Sequence, residues 1–303
     1  MGIGIVFVVL QWVGTYSAFH LLFFLLGLAT GTYLPTMLPI LTETYDPKNW
    51  GKAIGIHDSA ASFSLFSIPI LIAFGLELLS WKSILLILGI VSLFFPVFFW
   101  KVSAEPKHEM FEHGIRYRDF LKRKPIYVMS LLWILSSAYA LGVYSILPLY
   151  LVKERGIDYY FANTLFGISR AGGMVVPIFI GFLIDRFGSR SILFWSLFTT
   201  GLSTMALSIA STLPIILVTL IFQSFLSLAF FPVGLSAVSK LTSLSERAMA
   251  LGLIISIGMI FGIGGSPFLL GVIADHSSFQ IGILGLGILT TLSSLSVKFL
   301  REI

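Results

Sequence analysis

The sequence predicts an all-α membrane protein of about ten transmembrane helices, on three observations. Of its 303 residues, 57% are apolar and only 11% are charged, whereas soluble domains carry about 25% charged residues. Uncharged stretches of about 20 residues recur along the chain, which is the helix length that crosses a ~30 Å bilayer core. The positive charges gather in alternate loops, as they do in multi-pass membrane proteins. This composition excludes a water-soluble globular domain.

Ten apolar stretches are expected to form the spans, and each is bounded by polar or turn-forming residues. Residues 1–41 carry no charge, but one helix of that length would be ~60 Å long and would overrun the bilayer. We therefore expect a tight hairpin at Tyr16, Ser17 and Ala18. The expected spans are 2–17, 18–41, 52–76, 82–100, 125–150, 159–184, 189–209, 213–238, 247–274 and 278–298.

The distribution of Lys and Arg predicts the orientation. If successive helices alternate in direction, one side of the membrane holds 15 of the 19 cations, and the opposite side holds three, with Arg170 inside a span. Loops rich in Lys and Arg remain in the cytoplasm. We therefore expect a multi-pass protein of the cell (inner or plasma) membrane with both termini cytoplasmic. The 15 are Lys48, Lys52, Lys101, Lys107, Arg116, Arg118, Lys122, Arg123, Lys124, Arg186, Arg190, Lys240, Arg247, Lys298 and Arg301, and the three are Lys82, Lys153 and Arg155.

The sequence contains no motif that predicts an enzyme active site. The chain has no cysteine, which excludes thiolate metal sites and cysteine nucleophiles. His108 and His113 flank a glutamate, but histidines five residues apart diverge by ~140° on a helix and cannot bind one metal from one face. No P-loop spacing occurs either. We expect no catalytic residue, no metal and no cofactor.

An internal repeat indicates two related groups of helices. When the sequence is aligned with itself at an offset near 197 residues, prolines, glycines, acids and aromatic residues coincide, with one residue inserted in the second copy. Helices two to four therefore resemble helices eight to ten and run in the same direction. The hydrophilic segment 101–124 lies between the two groups and is interpreted as a linker. The aligned pairs are Pro35 with Pro232, Gly55 with Gly252, Pro69 with Pro267, Glu77 with Asp275, and Trp81 with Phe279.

The loop between the sixth and seventh spans carries a distinctive motif. An acid stands beside fixed cations, and two glycines permit a tight turn and close helix approach. Six of its positions match the signature Gly-x-Leu-x-Asp-Arg-x-Gly-Arg-Arg, and Ser189 departs from the first of the closing arginines. With this motif the sequence resembles the major facilitator superfamily. The matching residues are Gly181, Leu183, Asp185, Arg186, Gly188 and Arg190.

The resemblance implies a secondary active transporter with two helical bundles, a central cavity and alternating access. Residues 1–100 would form a partial N-terminal bundle equivalent to helices three to six, 101–124 the cytoplasmic linker, and 125–303 a six-helix C-terminal bundle. This 4 + 6 arrangement of a twelve-helix fold implies that two helices would precede Met1. The same architecture places the motif loop against the start of the span that holds Asp58.

Arg170 is the leading candidate for substrate binding. It lies about eleven residues into its span, or ~17 Å from the start, which is near mid-membrane. Burying Arg there costs about 2.5–3.5 kcal/mol, so it is expected to face a wet cavity and an anion. The alternative is a structural bond to a helix carbonyl or to a lone acid.

Asp58 has two possible roles. It would pair with Arg186 or Arg190 as part of the gating contact, or it would carry a coupled proton together with His57, which titrates near neutrality. Further candidate substrate contacts are polar side chains in helices that line the cavity in the family, although each could instead anchor or stabilise its own helix. They are Tyr139, Tyr144, Gln223, Tyr33 and Thr36.

The expected function is transport of a small polar, anionic solute by proton coupling or exchange. The expected partners are this small-molecule solute, protons and the lipid bilayer, and no nucleic acid. Two alternatives stay open at this point. One is a proton-driven exporter of lipophilic compounds, in which Arg170 would sit in a buried salt bridge. The other is a non-transporting receptor or an inactive truncated product.

Overall fold

The computed structural model describes residues 1–102, 120–170, 173 and 175–300, with backbone alone at 65, 66, 68–70, 72–74 and 102. Within these ranges all regular secondary structure is helical, which confirms the predicted fold class. Most of the linker and the segment 108–113 lie outside the described residues. Seven helical segments are long and apolar enough to cross a membrane: Tyr16–Thr44, Trp81–Lys101, Lys124–Arg155, Ser189–Ile209, Leu213–Leu241, Leu244–His276 and Phe279–Phe299.

Residues 1–102, called the first segment from here on, form five helices. The expected hairpin at Tyr16–Ala18 is misplaced, because Tyr16 already begins a helix. The turn lies just before it, and the Thr15 hydroxyl caps that helix by accepting a hydrogen bond from the Ala18 amide. The helices are α1 (Gly2–Val9), α2 (Tyr16–Gly31), α3 (Tyr33–Thr44), α4 (Trp50–Leu78) and α5 (Trp81–Val102).

Residues 120–300, the second segment, follow the predicted spans closely. The span predicted at 189–209 coincides with one helix, whereas two others contain a π-helical stretch, Ala138–Gly142 and Gly258–Gly264. The helices are α6 (Lys124–Ser137), α7 (Val143–Arg155), α8 (Tyr159–Arg170), α9 (Val176–Phe187), α10 (Ser189–Ile209), α11 (Leu213–Leu228), α12 (Phe230–Leu241), α13 (Leu244–Ile257), α14 (Gly265–His276) and α15 (Phe279–Ser294).

Small residues allow the helices to approach closely, as in other membrane proteins. Gly201 of α10 faces Gly287 of α15 so tightly that a Cβ at either position would overlap the opposite helix. One apolar cluster, around Trp133 and Phe230, extends from the second segment into the first, and another, around Leu147 and Leu220, lies within the second segment. The first segment joins the second where α4 packs on α9 and α3 packs on α13. These two contacts position the motif loop.

Candidate functional site

Asp185 of the motif connects the two segments. Its Oδ1 accepts a hydrogen bond of 2.8 Å from the Gly51 amide, and its Oδ2 accepts one of 3.0 Å from the Lys52 amide. These amides belong to the first turn of α4, where backbone N–H groups have no partner within the helix. A carboxylate at this position also complements the positive end of the helix dipole. Asp185 therefore anchors α4 to the end of α9.

Glycines make this contact possible. A Cβ at Gly51 would overlap the Gly181 carbonyl oxygen, and a Cβ at Gly181 would overlap the Gly51 carbonyl in return. One turn further along α4, a Cβ at Gly55 would overlap the Pro177 carbonyl. Gly188, which ends α9, has a φ of 82° that favours glycine. The backbones of α4 and α9 thus touch directly beside Asp185.

The remaining motif side chains act within the second segment. The Arg190 guanidinium donates to the Lys298 carbonyl at 3.1 Å, and the Arg186 guanidinium lies over the Phe187 ring. Leu183 is exposed. Ser189, the residue that departs from the signature, is fully buried and its hydroxyl lies 3.0 Å from that of Ser236. The longer, charged side chain of an arginine at position 189 would not fit the buried space beside Ser236.

The expected ion pair between Asp58 and a motif arginine is not formed in this structure. Among the described residues, no salt bridge joins Asp58 to Arg186 or Arg190. Asp58 lies eight residues into α4, or ~12 Å from the helix start at 1.5 Å per residue. The motif carboxylate instead binds backbone amides at that start.

Arg247 forms a second connection between the segments. This buried side chain at the start of α13 donates to the Thr42 hydroxyl at the end of α3 and to the Ser239 carbonyl at 2.8 Å. Its guanidinium also lies 4.9 Å from the centre of the Trp50 ring. The Trp50 indole in turn donates to the Thr42 carbonyl at 3.1 Å. Three side chains, from both segments, therefore form one buried contact.

One end of the helices, called the motif end, carries the Asp185 and Arg247 contacts between the segments. The three hydrogen bonds that link the described parts of the segments all lie there. At the opposite end, Gln11 donates to the Lys82 carbonyl and Glu154 accepts from the Gln280 amide, each within one segment. The described conformation is closed at the motif end.

Arg170 is a half-buried cation without an acidic partner among the described residues. Its Nη2 donates to the Ala140 carbonyl at 2.6 Å, and its Cζ lies 3.6 Å from the centre of the Tyr144 ring. Its Nη1 is buried and has no hydrogen-bond partner within the described part of the chain. The carbonyl and the ring hold the guanidinium in a fixed place, which leaves Nη1 able to bind an added anion.

The other predicted substrate contacts are divided between two places. Tyr139 and Gln223 are fully buried inside the second segment, and Tyr144 is buried beneath Arg170. Tyr33 lies in the first segment, where its hydroxyl is 2.9 Å from Nε2 of His57. The Thr36 hydroxyl bonds two carbonyls of its own helix. The structure brings Tyr144 to Arg170 and shows no contact between Arg170 and the two α3 residues.

A cavity of ≈ 420 Å³ lies between the segments. It is lined by α2 and α3 on one side, including Thr30 and Pro35, and by α13 on the other, including Gly252 and Ser256. Arg170 is not among its lining residues. In this conformation the cavity and the cation are separate.

Two features of the site have local signals in the sequence outside the motif. Gly51 and Gly55 have the four-residue spacing of close helix contacts. Ser243 and Glu246 have the spacing of a capping box, which the structure forms at α13. Glu246 also accepts two hydrogen bonds from Arg123, of 2.8 and 3.0 Å. The Arg247–Thr42 contact has no local signal, because its residues are 205 positions apart.

Comparison with known structures shows a shared fold at low sequence identity. The human organic anion transporter MFSD10 (TETRAN) superposes with a TM-score of 0.80 over 98% of this chain and 75% of its own, at 14% identity. The E. coli fucose:proton symporter FucP gives 0.79 over 100% and 81%, at 13% identity. A bacterial homologue of the iron transporter ferroportin, in an outward-facing state, gives 0.71 over 98% and 79%, at 16% identity.

Sequence comparison agrees with the fold. The uncharacterized transporter YybO of Bacillus subtilis (strain 168) is 30% identical over 88 residues, which are 29% of this chain and 20% of that protein. The match thus spans a fifth of the relative's length. The family model described as Major Facilitator Superfamily matches residues 1–186 and 165–302. The chain belongs to the major facilitator superfamily, a family of membrane transporters.

Proposed function

We propose that the protein is a secondary active transporter that moves a small polar, anionic solute by alternating access. Membership in a transporter family supports the transport function and gives no support to an enzymatic one. The anionic character of the solute rests on Arg170, and no property of the relatives is needed for it.

The single observation that carries the proposal is the unpaired nitrogen of Arg170. The guanidinium is half-buried with its Nη1 atom fully enclosed, and among the described residues no carboxylate neutralises its charge. A charge of this kind is costly in a membrane unless it pairs or meets water. A solute carboxylate or phosphate would supply the missing partner by charge-assisted hydrogen bonding. Export of lipophilic compounds, which would need Arg170 in a salt bridge, has less support.

Transport would proceed by rocking of two bundles, 1–100 and 125–303, about the solute site, with 101–124 as the linker. Opening the motif end requires that Asp185 release the start of α4 and that Arg247 release Thr42. We include the whole motif in this gating role: Gly181, Leu183, Asp185, Arg186, Gly188 and Arg190. Asp58 is kept as a candidate for gating and for proton coupling.

Proton coupling would use His57 and Asp58. The His57 ring bonds the Tyr33 hydroxyl through Nε2, and its Nδ1 is buried without a partner. Its neighbour Asp58 forms no described salt bridge. Substitutions His57→Gln and Asp58→Asn are expected to abolish uptake driven by a pH gradient while leaving solute exchange at equal pH intact. Loss of both activities together would show that these residues do not act in coupling.

The motif end is proposed to face the cytoplasm of the cell that makes the protein, with both termini on that side. The chain has no cysteine, so single-cysteine variants can be labelled cleanly. Lys153 and Lys48 are exposed at opposite ends. Lys153→Cys is expected to react with a membrane-impermeant maleimide on intact cells, and Lys48→Cys only after the cells are opened. The reverse pattern would overturn the orientation.

Ligand-induced stabilisation tests the solute class. The Tm of the purified protein is measured in the presence of small organic anions and, separately, of their neutral amides. A ligand at 100 times its Kd stabilises the folded state by about 2.7 kcal/mol and therefore raises the Tm. At least one anion is expected to raise the Tm of the wild type and not that of Arg170→Ala. Stabilisation by the neutral amides alone would contradict the anionic assignment.

A further inference from the structure

A cluster of polar side chains lies inside the second segment, apart from the cavity and the motif end. We call it the hydroxyl–amide cluster, and its members come from the α6–α7 unit, α10 and α11. Each of them is 0% exposed. The members are Ser136, Tyr139, Thr200, Thr204 and Gln223.

Only part of the hydrogen-bonding capacity of the cluster is used. The Gln223 amide donates to the Thr204 hydroxyl at 3.3 Å, and that hydroxyl donates to the Thr200 carbonyl at 2.8 Å. Four other atoms have no hydrogen-bond partner among the described residues: Ser136 Oγ, Tyr139 Oη, Thr200 Oγ1 and Gln223 Oε1. The Tyr139 hydroxyl lies near those of Ser136 and Thr200, but without the geometry of a hydrogen bond.

Four unpaired polar atoms at one buried place indicate a bound partner. Buried polar groups in proteins are nearly always paired, and the exceptions commonly bind water or an ion. In a membrane-spanning segment the surrounding lipid offers no alternative hydrogen bond. The partner must therefore come from a molecule enclosed by the helices.

The chemistry of the cluster fits water better than an ion. Three hydroxyl groups have protons to donate, and the Gln223 oxygen can only accept. Water accepts two hydrogen bonds and donates two, so it satisfies both kinds of group. A metal cation would leave the hydroxyl protons unpaired. An anion would face the Gln223 oxygen unfavourably.

We infer that the hydroxyl–amide cluster is a water-binding site that holds ordered water between α6, α10 and α11. The water completes the bonds of Ser136, Tyr139, Thr200 and Gln223, and it links three helices by hydrogen bonds. The site is distinct from the proposed solute site at Arg170, so it can exist whatever the protein transports.

X-ray radiolytic footprinting of the intact protein in lipid nanodiscs tests the site, with bound water as the probe. Hydroxyl radicals formed from ordered water modify adjacent side chains even when these are shielded from bulk solvent. Tyr150 provides a matched control, because it is equally buried but its hydroxyl contacts the carbonyls of Leu207 and Ser208. Tyr139 is expected to be modified several-fold faster than Tyr150.

Two variants test the same point. Gln223→Leu removes the one group of the cluster that can only accept, and it is expected to lower the Tyr139 rate to that of Tyr150. If that variant does not fold, Thr200→Val serves the same purpose. Equal rates for both tyrosines in the wild type would overturn the inference. A several-fold change in the Tyr139 rate when choline replaces sodium would overturn it as well, by identifying a cation as the occupant.

Discussion

Replacing Asp185 by Asn should open the motif end. The substitution removes the charge that faces the start of α4, and the amide nitrogen cannot accept the second backbone hydrogen bond. A carboxylate at a helix start contributes up to about 2 kcal/mol, and a hydrogen bond to a charged group contributes about 1.5–3 kcal/mol. We expect a loss of about 2–3 kcal/mol for the closed state, which shifts the closed-to-open ratio roughly 30- to 150-fold.

Distances between spin labels can measure this shift. The chain lacks cysteine, so labels can be attached at Lys48→Cys in the first segment and Lys298→Cys in the second, both exposed at the motif end. The wild type is expected to give mainly the short distance, and Asp185→Asn mainly a longer one. Glu246→Gln is the matched control, because it removes a charge from the same end but breaks a contact with Arg123 inside one segment.

The reasoning would be refuted if Asp185→Asn gave the same distance distribution as the wild type. It would be refuted equally if Glu246→Gln lengthened the distance as much, because the effect would then follow from the loss of a negative charge and not from the contact between segments.

Three further predictions concern the same region. Gly51→Ala places a Cβ against the α9 backbone and is expected to lengthen the label distance, whereas Gly27→Ala, with open space around its Cβ, is not. Thr42→Val removes the hydroxyl that binds the arginine at the start of α13, and it is expected to destabilise the closed state by about 1.5–3 kcal/mol, measured as a shift in the label distance. Asp58→Asn and Arg186→Gln do not share a contact and should change transport rates additively; a coupling energy above about 0.5 kcal/mol would show that they interact.

The fold was predictable because a lipid bilayer permits few backbone conformations in a chain that spans it. A chain with long uncharged stretches must satisfy its backbone hydrogen bonds within helices, and the helix ends then follow from charge and turn residues. The span at 189–209 was found this way. The turn before Tyr16 was misplaced because the stretch 1–41 carries no charge to mark it, and only the Thr15 cap fixes its position.

The candidate site was only partly predictable. Local sequence identified Asp185 and Arg170, since one lies in a recognisable loop and the other is a lone charge in a span. It could not show that Asp185 binds amides of α4, because that partner is backbone and carries no side-chain signature. It also could not show that Tyr139 and Gln223 point into the second segment. Which face of an apolar helix is buried depends on its neighbours, and hydrophobicity is similar on all sides.

Solute flux through Arg170 variants tests the central claim most directly. The purified protein is reconstituted into liposomes and supplied with the anion that stabilises it best. Wild-type vesicles and the control Lys153→Gln, which alters an exposed cation at the opposite end, are expected to exchange this anion at equal rates. Arg170→Ala should be inactive, and Arg170→Lys should recover little activity because the planar guanidinium is lost. Exchange by Arg170→Ala at the wild-type rate would contradict the account.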